Sequence, residues 1–221
     1  MTSPDVNPSR EAMLRRIRAA LRDVPPEEQP EDVPVPRDYQ RRRVEPRGRI
    51  IERFAERLSE YQATVQRVSR SELPERIAET LAGRNINQLA VPDDLPADWL
   101  AALSGIEVQS DRGFGPTELD QIGAVLTGCA LGIAETGTIV LDGGALQGRR
   151  AITLVPDYHL CVVEAGQIVG SVPEAVEQLH TAIAEGRPVT FISGPSATSD
   201  IELDRVGGVH GPRTLDVLLV G

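Results

Sequence analysis

From residue 49 to the C-terminus, short aliphatic runs alternate with amphipathic helical stretches, and few architectures accept that spacing. Ile51, Phe54, Ala55 and Leu58 recur at helical intervals, and residues 63–68 follow as a strand. Ser71 caps a second helix carrying Leu73, Ile77 and Leu81, which Gly83 stops. Residues 86–91 read as the next strand, 97–103 as a short helix around Trp99, and 106–108 as another strand. Further on, 122–127, 138–141, 159–163, 189–192 and 215–220 are strand-like. Between them, Ser171-Val172-Pro173-Glu174 forms a capping box, opening a helix with Val172, Ala175, Val176, Leu179, Ala182 and Ile183 on one face. This alternation predicts an α/β fold, a layered and mostly parallel sheet flanked by helices. With 221 residues there is room for one such domain plus an appendage. Aromatic residues make up 3%, so aliphatic side chains and alanine must form the core.

The appendage is N-terminal. Ser9 is placed to cap a helix in which Met13, Ile17, Ala20 and Leu21 make an apolar stripe, ending by residue 23. Six prolines and many charges fill residues 24–48, which reads as a Pro/Arg-rich linker. The domain proper is then 49–221. A striped helix on a linker must cover its apolar face by docking on its own body, on a second copy as a homo-oligomer, or on a different protein.

Charge removes several function classes. The net charge is -10, which argues against a nucleic-acid or anionic-membrane surface. The acidity lies in the body, since residues 1–57 hold 13 arginines against 11 acids. No lysine occurs anywhere in the chain, which excludes Schiff-base chemistry and a Walker A loop. Cys129 and Cys161, without a CxxC pair, cannot ligate an iron-sulfur cluster or a four-cysteine zinc site. No metal site is expected. Buried free thiols, no apolar run of membrane-spanning length and no signal-like segment suit a cytoplasmic protein with no membrane span.

Two stretches carry chemistry. In residues 190–213, TFISGPSATSDIELDRVGGVHGPR, a strand meets Gly194-Pro195, and Ser199 to Glu202 can form a capping box for a short helix. Such a turn leaves backbone N–H groups pointing one way, as an anion requires. Gly207, Gly208, Gly211 and Pro212 bracket His210 in a segment able to approach a ligand. The same spacing equally describes an ordinary turn and surface loop. The second stretch is Ala134-Glu135-Thr136-Gly137-Thr138, where a glutamate among small residues can act as acid, base or nucleophile, or else brace a tight turn. Neither a GxGxxG fingerprint nor a GxSxG elbow is present. His159 reads as a satisfied histidine at a strand start and His180 as a surface residue.

The segments AETGTIVLDGG at 134–144, LVPDYHLCVV at 154–163, SGPSATSDIE at 193–202 and GGVHGP at 207–212 together resemble the LUD-domain family, in its lactate utilization C branch. The resemblance covers 49–221. It implies a sheet similar to that of ribose-5-phosphate isomerases, glucosamine-6-phosphate deaminases and coenzyme A transferases. It further implies a part in oxidising L-lactate to pyruvate as one of three cooperating subunits, with the iron-sulfur clusters on partner subunits and no cofactor bound by this chain. Glu135 resembles the nucleophilic glutamate of related coenzyme A transferases. Gly194, Ser196, Thr198, Asp200, Glu202, Gly208, His210 and Gly211 match the family's strongest motif.

These residues define an expected site for a small carboxylate between two turns. Thr136, Gly137, Thr138, Ser193 and the motif's hydroxyls and N–H groups would hold the ligand, with Glu135 and His210 moving protons. Three readings stay open at this point. The chain is a subunit of a lactate-oxidising complex, a stand-alone isomerase or acyl-transfer enzyme using Glu135, or a non-catalytic assembly module.

Overall fold

The computed structural model describes residues 8–25, 28–29, 32, 34–36, 38–196 and 210–221. The chain divides into two compact units, 1–39 and 40–221. In the first, α1 (Pro8–Ala20) buries none of its residues. All else below concerns the second unit.

Among the described residues, ten strands form two sheets. β1 (Thr64–Val68), β2 (Gln88–Val91), β3 (Glu107–Ser110), β4 (Ala124–Thr127), β7 (Tyr158–Glu164) and β10 (Thr214–Val220) make a six-stranded sheet of order β1-β10-β7-β4-β2-β3, parallel throughout its described pairings. The expected parallel sheet is present. The chain leaves it twice to build a second, mixed sheet of four strands. β5 (Leu131–Ile133) and β6 (Thr138–Leu141) are inserted between β4 and β7, and β8 (Ile168–Val169) and β9 (Thr190–Ile192) between β7 and β10. Sequence periodicity reads eight of these strands but neither β5 nor β8, and not which sheet each joins.

The alternation along β7 and β10 sorts the core. Cys161, Val163, Leu215, Val217 and Leu219 face the second sheet and α2 (Arg47–Glu60), which contributes Ile50, Phe54 and Leu58. Tyr158, Leu160, Val162, Leu218 and Val220 face the other way, against Leu73, Ile77 and Leu81 of α3 (Leu73–Gly83) and against Trp99. A helix the sequence pattern hid, α4 (Pro116–Ile122), covers Val125 with Leu119 and Ile122. Gly123, at φ 71°, ends α4, so Ile122 closes a helix and does not begin β4. On the outer face of the second sheet lies α5 (Val172–Ala184). Only Ala175, Leu179 and Ala182 of α5 are buried, whereas Val172, Val176 and Ile183 are exposed. The apolar face of α5 is therefore wider than the surface it covers.

Residues 40–46, read from sequence as linker, are tied to the body. The Arg43 N–H donates to Glu174 Oε1 at 3.1 Å, the Ser171 hydroxyl to Arg41 O at 3.3 Å, and Glu45 accepts from Arg43 and Arg53.

One polar cluster interrupts the α3 side of the core. Asp216 on β10 is 3% exposed and accepts from Arg84 Nε at 3.1 Å, Arg84 Nη2 at 2.8 Å and the Tyr158 hydroxyl at 2.9 Å. The Arg84 guanidinium also lies 5.5 Å from the centre of the Tyr158 ring. Burial first, and the Asp216 charge second, push the Tyr158 phenol well above its usual range. A raised phenol favours the protonated, folded form. Its contribution is complete below the ordinary tyrosine value of about 10 and is lost as pH rises beyond it. Urea midpoints measured from pH 8 to 11 should therefore fall more steeply above about pH 10 in the native chain than in Tyr158→Phe; parallel slopes would show that the phenol is not so held.

Candidate functional site

The two turns singled out from the sequence rest on the end of α2, one on its last turn and the other on Tyr61, which caps it. Gly137 has φ 62°, and a Cβ there would lie 2.5 Å from Arg57 Cβ and 2.8 Å from Leu58 N. Gly194 has φ 88°, and a Cβ there would lie 2.6 Å from Tyr61 O. Each position needs glycine for its backbone angle and again for its close approach. The antiparallel pairing of β6 with β9 then sets Thr138 beside Ser193. Their hydroxyls are 2.7 Å apart, and Thr136 Oγ1 is 2.7 Å from Thr138 Oγ1, making a chain of three hydroxyls.

Glu135 does not join that chain. Its carboxylate accepts from the Val172 N–H at 3.4 Å and stands 3.9 Å from Arg43 Nη1, with the side chain 44% exposed. It braces the amino end of α5, where a negative charge suits the helix dipole. The Glu135 turn and the Ser193 turn are thus linked through Thr138 and not through the glutamate.

A cleft of about 200 Å³ opens at the amino ends of β7 and β10. Ser193, Gly194, Ser196, His210 and Gly211 line it, together with Arg150 and Thr153, which the sequence did not single out, and His159, read from sequence as a satisfied strand histidine. The Ser196 N–H donates to Pro212 O at 2.8 Å and the His210 N–H to Ser196 Oγ at 3.1 Å, which fixes the rim. Thr198, Asp200, Glu202 and Gly208 lie outside the described residues.

Arg150 gives the cleft its charge. Its guanidinium donates to Thr153 Oγ1 at 3.0 Å and to His210 O at 3.3 Å, both neutral acceptors. Among the described residues no carboxylate pairs with it. Burial pulls it below the usual arginine range. A half-buried cation with no counter-charge among the described residues is a standing attraction for an anion. The adjacent Arg149 shows the contrast, since it forms a two-pronged pair with Asp111 at 2.8 and 2.6 Å and has no charge to offer.

Crevices in parallel sheets usually lie outside the carboxyl ends of the strands. Such a crevice exists here, about 420 Å³ at the ends of β4 and β7, lined by Asp142, Gln147, Glu164 and Arg187 among others. Its charges are already matched. Asp142 pairs with Arg187 at 3.1 Å and accepts from Gln147 Nε2 at 2.9 Å and the Gly144 N–H at 3.0 Å, while Glu164 pairs with Arg70 at 2.7 Å. Cys129, on its wall, is held well above the usual thiol range by its hydrogen bond with Cys161 and by burial. Among the described residues, unmatched charge therefore distinguishes the smaller cleft.

Comparison with known proteins gives the same grouping. Residues 51–220 match the LUD domain family. The chain is 46% identical over 221 residues to lactate utilization protein C of Deinococcus radiodurans, covering 100% of this chain and 99% of that one. A lactate utilization protein C of Geobacillus thermodenitrificans is 29% identical over 168 residues, 68% of this chain and 69% of that one. A solved structure, a DUF162 family protein from Deinococcus radiodurans, is 43% identical with a TM-score of 0.69, covering 80% of this chain and 100% of that one. With a parallel sheet of this topology and a match over nearly all of the second unit, the chain belongs to the LUD-domain family.

Proposed function

We propose that this chain is the non-redox subunit of a cytoplasmic system that oxidises L-lactate to pyruvate, and that its cleft holds a small carboxylate. The half-buried Arg150, with only neutral protein partners among the described residues, carries the reading, and the lactate utilization proteins among its relatives supply the context. Ser193, Ser196 and Thr153 add hydroxyls beside the guanidinium, and Ile192 and Leu215 give an apolar wall for a short alkyl group. In this reading the electrons pass to iron-sulfur clusters on partner subunits, as the family resemblance implies, and the two buried thiols of this chain are too few to ligate one.

The test is lactate-dependent dye reduction by the co-expressed three-subunit complex, set against the complex without this chain and the chain alone. Activity is expected from the full complex only. Equal activity without the chain would remove it from that chemistry, and turnover by the chain alone would make it an enzyme in its own right.

A further inference from the structure

His159 is 1% exposed, lies on β7 and lines the cleft. Its Nε2 is 2.8 Å from Thr127 Oγ1, and Thr127 Oγ1 donates to Gly128 O at 2.8 Å. A hydroxyl has one proton. With that proton committed to Gly128 O, Thr127 can only accept from the imidazole, so Nε2 carries a hydrogen, and in the neutral ring Nδ1 then carries a lone pair. Nδ1 is buried and, among the described residues, has no hydrogen-bond partner. Cys161 directs its thiol to Gly128 O at 3.7 Å and is held below the usual thiol range by hydrogen bonds with Cys129 first and then with the His159 imidazole.

An unpaired acceptor in a low-dielectric site is costly, and a ligand that brings a donor recovers that cost. Nδ1 is closed to water in the free chain, so pairing it requires a local side-chain adjustment as the ligand enters.

The geometry points to a cleft that selects a 2-hydroxy acid over the matching 2-oxo acid, with Arg150 holding the carboxylate and His159 Nδ1 accepting a hydrogen bond from the hydroxyl. This inference rests on the carboxylate site proposed above. A 2-oxo acid places a carbonyl oxygen against the Nδ1 lone pair, so acceptor meets acceptor. Sites built to bond a hydroxyl reject analogues lacking it far more strongly than apolar pockets reject a change of size. The selectivity therefore belongs to the imidazole tautomer, and Thr127 is the positioning residue that sets it.

The experiment titrates L-lactate and pyruvate separately into the full chain, following binding by calorimetry, for the native protein, Thr127→Val, His159→Phe and Arg150→Gln. Imidazole ¹⁵N shifts report the tautomer in the same samples. The native chain should bind L-lactate at least about tenfold more tightly than pyruvate, with the hydrogen on Nε2. Thr127→Val keeps the side-chain shape and should bring the two affinities to within about threefold, as should His159→Phe where it folds. Equal affinities in the native chain, both lost in Arg150→Gln, would overturn the hydroxyl selection while leaving the carboxylate site standing. Saturation by neither ligand would overturn both. A hydrogen found on Nδ1 would overturn the selection whatever the affinities.

Discussion

Arg150→Gln in the assembled lactate-oxidising system is expected to lower kcat/KM for L-lactate by roughly ten- to hundredfold. A charge-assisted hydrogen bond contributes about 1.5–3 kcal/mol, and about 1.4 kcal/mol is a factor of ten. The loss should appear in KM at least as strongly as in kcat, because the guanidinium meets the carboxylate in the ground state as well as during reaction. Arg150→Lys should fall between, retaining the charge but losing the planar fork. Arg149→Gln is the control. It lies one residue away and removes the same charge, yet its partner is Asp111, so it should leave kcat/KM within about twofold and lower stability. Equal effects from the two substitutions would mean that general charge, and not the cleft, is being read.

The asymmetry between these neighbours also marks where sequence reasoning stops. Gly-Arg-Arg at 148–150 carries no periodicity and no motif, and nothing in one sequence says which arginine finds an acid. That is settled by β3 ending at Ser110, which brings Asp111 to Arg149, while Arg150 turns toward Thr153 and His210. His159 was legible as a histidine at the start of a strand but not as half satisfied. Its state depends on Thr127, which the parallel register places diagonally across on β4, with Val125 opposite His159 and Thr127 opposite Cys161.

Strands fared better because their signal is local. Alternation along 158–164 and 214–220 assigns each side chain to a face, and the parallel sheet follows from the helices between strands. The second sheet was not legible, since runs such as 138–141 and 190–192 read the same whichever neighbour they pair with, and 131–133 and 168–169 are too short to read as strands at all. Phe191 illustrates the point, reading as the end of a buried strand and standing 52% exposed on a sheet edge. Glu135 was conspicuous for its small neighbours, yet those neighbours serve the approach of the turn to α2, and the glutamate points away to the start of α5.

That approach gives the largest expected effect on stability. Gly137→Ala meets two penalties. At φ 62° a residue with a Cβ costs roughly 1–2 kcal/mol. The new methyl would also lie 2.5 Å from Arg57 Cβ and 2.7 Å from Arg57 C, and since one contact is backbone, α2 or the turn has to move. Overpacking of that kind costs about 1–3 kcal/mol, so the total is about 2–5 kcal/mol. Gly143→Ala separates the two contributions, because Gly143 has φ 67° but nothing within 4 Å of an added Cβ; it should cost only the conformational part. Urea unfolding of the three chains therefore gives the clash as the difference between the variants. A clash of this size should also reach the cleft, because displacing the turn displaces Thr138 from Ser193, and Gly137→Ala should weaken carboxylate binding where Gly143→Ala does not. If the two variants unfold at the same urea concentration, the turn is free to shift and the last turn of α2 is not what positions the site.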